Sequence, residues 1–238
     1  DIFLKLKLNN NSININIDNP KIYSGSEFID LSKIDINLDL IKLIKNDNSI
    51  KNIQIVSKEN SIKTLTNFIN SYKFNISRLV IFNQIESGNI QAKTNIYFDE
   101  ENQNDFTYEV TGKVNNAKLN TLNETFVSNI NFNFDIKNQI FNFDNINLRY
   151  DNIDFQSKKI RISKSGKNFE VKGDLSNKKG LIKPNSFSKL VNFNLDFLEK
   201  KEISMETENE FSFNINSNRL IKDLNLKSSL KFDELYFN

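Results

Sequence analysis

Among the groups in this sequence able to do chemistry, the carboxylates come first. Asp99, Glu100, Glu101 and Asp105 cluster closely enough to offer hard oxygen ligands to a calcium ion. The stretch lacks the glycine on which a calcium loop turns, and its spacing follows no calcium motif. It therefore reads as a solvated acidic turn between two strand runs. Carboxylate pairs also run glycoside hydrolysis, but the acids here are scattered over polar strand positions and turns. With no His and no Cys, Ser-His and Cys-His nucleophiles and most zinc sites are excluded. No glycine-rich phosphate loop occurs. The expectation is a non-enzymatic chain with no metal and no cofactor.

Composition shapes how the other signals are read. The 238 residues include 42 Asn, 31 Ile and 28 Lys, against four Arg and no Trp. Asn, Ile, Lys and Phe have codons rich in A and T, so the Asn load reflects an AT-rich genome rather than a prion-like tract. The same bias accounts for Asn10-Asn11-Ser12, Asn75-Ile76-Ser77 and Asn123-Glu124-Thr125, which match the glycosylation sequon. Lysines are balanced by acids to a formal +2, with no isolated basic block, so no nucleic-acid partner is expected. Lys158, Lys159, Lys164, Lys178 and Lys179 read as solvated charges. The 21 Phe and 31 Ile argue against disorder. No apolar run approaches the roughly 18 residues of a membrane span. The chain opens and closes inside alternating runs (Ile2, Leu4, Leu6, Leu8; Leu230, Phe232, Leu235, Phe237), which reads as a single β-rich segment, 1–238, of a longer protein.

Alternation is the strongest signal. Apolar residues at every second position lie on one face of a strand. They do so at Ile13–Ile17, Ile34–Leu40, Ile53 with Ile55, and Ile130, Phe132, Phe134 and Ile136. Phe141 and Phe143 share one phase, whereas Ile146, Leu148 and Tyr150 take the other. The slip at Asp144-Asn145 marks a turn or a bulge. Ile153 with Phe155, Ile160 with Ile162, Phe211, Phe213 and Ile215, and Leu224 with Leu226 continue the pattern. Asn, Asp, Ser and Lys fill the other positions, as in antiparallel sheet with one dry and one wet face. Lys164-Ser165-Gly166-Lys167 reads as a hairpin turn. Ile62, Leu65, Phe68, Ile69 and Tyr72 form a helical stripe with Ser61 placed to cap it. A short second helix is expected near 186–191, where Val191, Phe193, Leu195 and Phe197 also suit a strand. Gly112-Lys113-Val114-Asn115-Asn116 echoes Gly173-Asp174-Leu175-Ser176-Asn177, with Gly88-Asn89-Ile90 a fainter copy, each glycine expected at the start of a strand run.

Two stretches carry a family likeness. Ser32-Lys33-Ile34-Asp35-Ile36-Asn37-Leu38-Asp39-Leu40-Ile41-Lys42-Leu43-Ile44, followed by Ile50-Lys51-Asn52-Ile53-Gln54-Ile55, resembles the N-terminal region of AsmA-like proteins. There a strand ends in a Leu-rich turn before a second strand of the form I-x-x-I-x-I. Val110 to Leu119, with the Phe-and-Asn strand pairs that follow, resembles the larger envelope-spanning members. The likeness is one of pattern over residues 30–238. It departs where Ser57-Lys58-Glu59 replaces the usual Pro, and the family's N-terminal membrane helix is not in this sequence.

The resemblance implies a periplasmic protein anchored in the inner membrane by an upstream helix, which carries phospholipid acyl chains in outer-membrane biogenesis. It divides the segment into strands plus a helix over 1–75 and antiparallel groove repeats over 76–238. The fold it implies is mainly β: an elongated, twisted antiparallel sheet curled into an open groove, with one or two short helices. Lipid would lie against Ile130, Phe132, Phe134, Ile136, Phe141, Phe143, Phe211, Phe213, Ile215, Leu224, Leu226, Leu230 and Phe232. Alternation alone fits a second reading equally, in which the same faces close as the dry core of a structural or adhesive β-sandwich without a ligand.

Overall fold

A computed structural model describes residues 2–7, 11–45, 47, 49–72, 84–99, 105–120, 126–150, 153–182, 203–218 and 220–232. The strands are β1 (Ile2–Lys7), β2 (Ser12–Asp18), β3 (Lys21–Ser24), β4 (Glu27–Asp39), β5 (Ile50–Ser57), β6 (Asn60–Ser61) and β7 (Ile85–Phe98). They continue with β8 (Phe106–Asn120), β9 (Phe126–Lys137), β10 (Ile140–Tyr150), β11 (Ile153–Ser165), β12 (Asn168–Ile182), β13 (Ile203–Ile215) and β14 (Ile221–Phe232). The two helices are short, α1 (Leu40–Ile44) and α2 (Ile62–Tyr72). The expected fold class holds: the strands form one open antiparallel sheet in the order β1-β2-β4-β5-β7-β8-β9-β10-β11-β12-β13-β14, with β3 on β4 and β6 on β7. The chain forms two compact units, Asp1–Val114 with Phe134–Gln139, and Asn115–Asn133 with Ile140–Asn238.

In the first unit the register aligns isoleucines in rows. Ile15 lies opposite Ile36, Ile36 opposite Ile53 and Ile53 opposite Ile96; Ile17, Ile34 and Ile55 make a neighbouring row. Directly opposed β-branched side chains are the pairs that stabilise a sheet, at about 0.2–1 kcal/mol each. The intervening positions align Asn16, Asp35, Gln54 and Asn95, and the Gln54 amide donates to Asn95 Oδ1 at 2.8 Å. Thus one face is isoleucine and the other amide and carboxylate. Helix α2 takes the expected 62–72 span and packs against β4 and β7, with Thr66 buried. Ser61 directly precedes it and pairs with Asn89 as part of β6. Helix α1 ends the long strand β4: Asp39 Oδ1 accepts from the backbone N–H groups of Ile41 and Lys42 at 2.9 and 3.0 Å.

The turns fall where the polar stretches predict them. Asp99 N–H donates to the Asp105 carbonyl at 3.0 Å, bringing β7 and β8 together, while Glu100 and Glu101 lie outside the described residues. Gly166, at φ +61°, starts the two-residue turn that pairs Ser165 with Asn168. The second helix expected near 186–191 also lies outside the described residues.

One expectation changes. Gly112 and Gly173 sit inside β8 and β12, not at their starts, and each is overlain by a Phe ring of the following strand, Phe134 and Phe211. A ring laid across a strand glycine supplies the packing that the glycine lacks. At Asp144-Asn145, where the sequence allowed a turn or a bulge, the chain does not turn: β10 runs through in unbroken register with β11, and Asn145 takes φ +55°.

Candidate functional site

The apolar face of the second unit is assembled row by row. One row joins Phe143, Ile160, Gly173, Phe211 and Leu226; the next joins Phe141, Ile162, Val171 and Phe213; a third joins Phe169, Ile215 and Ile221. Phe132 meets Phe143 edge-on at 5.6 Å between centroids, and Phe211 stacks beside Phe213 at 6.0 Å. Further along the same strands, Leu148, Phe155, Asn177, Thr207 and Leu230 form another row, and Gly180, Met205 and Phe232 another. Strand β13 carries Met205, Thr207, Asn209, Phe211, Phe213 and Ile215 at strict alternate positions, so all these rows belong to one face.

Keeping that face continuous requires a phase change in the neighbouring strands, and local backbone irregularities supply it. In β10 the apolar phase switches at Asn145. In β11 it switches between Phe155 and Ile160, where the register to β12 shifts between Gln156 and Ile160. The Asp174 carboxylate holds the β11 irregularity by accepting from the backbone N–H groups of Lys158 and Lys159 at 2.9 and 3.0 Å. Asn116 and Asn129 take the same left-handed conformation, at φ +52° and +50°, and Asn131 ties both: its Oδ1 accepts from Asn116 N–H and its Nδ2 donates to the Asn129 carbonyl. Asn147 repeats the second contact onto Asn145 at 3.2 Å. Asn adopts positive φ at lower cost than other side-chain-bearing residues. The sequence Asn-Ile-Asn at 129–131 and again at 145–147 is thus a left-handed Asn followed by a buried Ile, Ile130 or Ile146.

Burial divides the expected lipid-facing residues. Within the second unit Ile130 is buried; Phe132, Phe141, Phe143, Phe211, Phe213, Ile215 and Phe232 are half-buried; Leu224, Leu226 and Leu230 are exposed, Leu224 and Leu226 by 64% and 58%. Phe134 and Ile136 belong to the first unit, where Phe134 is buried over Gly112 and Ile136 is half-buried. Ile153 and Phe155, part of the alternating pattern but not among the expected lipid-facing residues, form with Met205 a closed cluster with Leu148, Tyr150, Leu175 and Phe232 packed around it.

A polar band crosses the face beside that cluster. Thr207 Oγ1 donates to Asn177 Oδ1 at 2.6 Å, and Asn177 Nδ2 donates to the Met205 carbonyl. Asn209 Nδ2 donates to Thr207 Oγ1 and to the Leu175 carbonyl, and Ser228 Oγ donates to Asn209 Oδ1 at 2.6 Å. Ser157 shares the face through its pairing with Ile146.

The opposite face is charged. Rows there align Asn142, Arg161, Lys172, Ser212 and Asn225, and next to them Asp174, Glu210 and Lys227. Lys172 lies 2.6 Å from Glu170, which holds the Glu170 carboxyl below the usual range. The Arg149 guanidinium grips Asp154 with two hydrogen bonds of 2.7 and 2.9 Å and lowers its pKa in the same way. Lys158, Lys159, Lys164 and Lys178 are exposed. A broad depression on this side is lined by Lys159, Arg161, Lys172, Asp174, Glu210 and Lys227, so opposing charges meet in it instead of one sign gathering there. Among the described residues, no group of three or more acidic side chains is placed to hold a metal ion, and no helix is long and apolar enough to cross a membrane.

Comparisons with protein-family models, with curated proteins and with solved structures each find no match to the chain.

Proposed function

We propose that this chain is a non-enzymatic, lipid-conducting or lipid-shielding segment of an AsmA-like envelope protein. It would act in phospholipid transport and outer-membrane biogenesis from the periplasm, with the full-length protein held in the inner membrane by an upstream helix. The observation that carries this reading is an apolar face left half open: Leu226 is mostly exposed on the row of Phe211, and Leu224, two residues before it in the same strand, is mostly exposed too. Exposed contiguous apolar surface of this kind marks a binding surface, and each acyl CH₂ buried there contributes about 0.8 kcal/mol. The charged opposite face, where Glu206, Glu210, Lys227 and Lys231 alternate across strands, keeps that side in water.

The ligand-free structural or adhesive reading draws on the closed Ile153–Phe155–Met205 cluster, which has the burial of a dry core. A sandwich, however, needs a second sheet over the whole face, and the described residues form one sheet.

The two readings separate on a charge at the open end. Purified wild-type protein should retain diacyl phospholipid through purification, measured by mass spectrometry of extracted protein. Leu226→Asp should lose most of it while keeping its far-UV spectrum and urea midpoint, because an exposed Asp there stays in water until lipid arrives. A wild-type protein free of lipid, and unable to take it up from vesicles, would refute the proposal.

A further inference from the structure

Helix α1 leaves its aliphatic side chains in the open. The stretch Leu40-Ile41-Lys42-Leu43-Ile44 follows the apolar run of β4, yet none of its five residues is buried. Ile41, Leu43 and Ile44 are 46%, 43% and 77% exposed on a single turn, and exposed Lys45 closes it. The turn is held in that shape from both ends. The Asp39 carboxylate caps its start and pairs with Lys51 at 3.0 Å, and the Lys45 N–H donates to the Ile41 carbonyl at 3.1 Å. Exposed Tyr97 lies at the same end of the sheet, opposite Asn52 near the start of β5. Scattered exposed aliphatics need no partner, whereas adjacent ones mark a contact surface.

We propose that α1 is a bilayer contact: Ile41, Leu43 and Ile44 enter the boundary between headgroups and acyl chains of a phospholipid membrane, with the Lys45 ammonium at the phosphates. Size selects a bilayer over a protein. A stable protein interface buries about 800 Å² on each partner, and three side chains on a five-residue turn supply far less. A bilayer sets no such minimum, because it takes up each side chain separately and binding grows with the apolar area entered. The residue types also fit the depth they reach. Aliphatics lead, while Lys45 and Tyr97, each with an apolar body and a polar tip, follow at the headgroups. Asp47, exposed just beyond the turn, offsets part of the Lys45 charge, so aliphatic burial leads the contact. The proposal concerns the first unit and goes beyond the lipid-conducting reading, whose carrying observation lies in the second.

The sequence holds no Trp, so Ile44→Trp places a single indole emitter on the turn. With vesicles of phosphatidylcholine and phosphatidylglycerol, its emission should shift to the blue and be quenched by lipid brominated in its acyl chains. Tyr23 is 65% exposed on the β3–β4 hairpin, at the opposite end of β4, and Tyr23→Trp should show neither effect. Replacing Ile41, Leu43 and Ile44 together by Ser should lower partitioning into the vesicles by about tenfold or more. The urea midpoint should stay nearly unchanged, since none of the three is buried. Absence of a shift for Ile44→Trp, an equal shift for Tyr23→Trp, or partitioning undiminished by the triple replacement overturns the proposal. A wild-type chain that ignores vesicles but forms a dimer lost in the triple variant also overturns it, and makes the turn a contact between copies.

Discussion

Two strand glycines, Gly112 and Gly173, should respond differently to the same substitution. A methyl group at Gly173 would stand 2.9 Å from Ile160 Cγ1, 2.9 Å from Phe211 Cζ and 3.1 Å from the Lys159 carbonyl oxygen. Two of these three atoms are side-chain atoms able to swing. At Gly112 the methyl would overlap the Gln91 carbonyl oxygen, and would also lie 2.5 Å from Phe134 Cζ. A carbonyl held in a strand moves only with its backbone. Gly→Ala restricts the unfolded chain and so returns about 0.4–1 kcal/mol, whereas overpacking typically costs about 1–3 kcal/mol. The net for Gly173→Ala is then a loss of about 1–2 kcal/mol, and Gly112→Ala should reach about 3 kcal/mol. Urea unfolding followed by far-UV circular dichroism gives both values from the shift in midpoint. The decisive comparison is the second-site cycle. Phe211→Leu should relieve much of the Gly173→Ala penalty, because it withdraws the ring tip. Phe134→Leu should relieve little of the Gly112→Ala penalty, because the carbonyl remains. Equal penalties at the two sites, or full relief of Gly112→Ala by Phe134→Leu, would refute the reasoning.

The left-handed backbone at Asn145 predicts that Asn145→Gly leaves the urea midpoint nearly unchanged, while Asn145→Val, forced to φ +55°, loses about 1–2 kcal/mol or more. At the start of α1, the backbone N–H of Lys42 and then the Lys51 ammonium hold the Asp39 carboxyl below the usual carboxylate range. A depressed folded-state pKa stabilises above the unfolded-state value and is lost as pH falls through the folded-state one. The Ile41 and Lys42 amides should therefore lose protection from hydrogen exchange only at pH below that range. Asp39→Asn, which still caps, should flatten the dependence.

Much of this fold was legible because alternation is a local property. The Ile130–Ile136 run, the 62–72 helix and the Gly166 turn all follow from residues close in sequence. The phase slip at Asp144-Asn145 was visible too, but Asp and Asn serve turns and bulges alike. What decides between them is whether β11 keeps pairing on both sides of the slip, and it does. The repeat of Asn-Ile-Asn at 129–131, where Asn129 is left-handed too, is the local signal that accompanies the slip.

Alternation also misassigned polar residues. Asn was given to the wet face, yet Asn177 occupies the dry one, where it accepts from Thr207 across β12 and β13. Strand β3 is too short to alternate visibly and exists through its pairing with β4.

The central claim is that the open apolar rows of the second unit meet acyl chains. It is tested most directly by placing a photo-crosslinking residue at Phe213 or Leu226, with Ser212 and Asn225 as opposite-face controls, in the full-length protein in living cells. Phospholipid adducts at Phe213 and Leu226, and none at Ser212 and Asn225, are the predicted result. Adducts at none of the four positions, or at all four alike, would contradict the account.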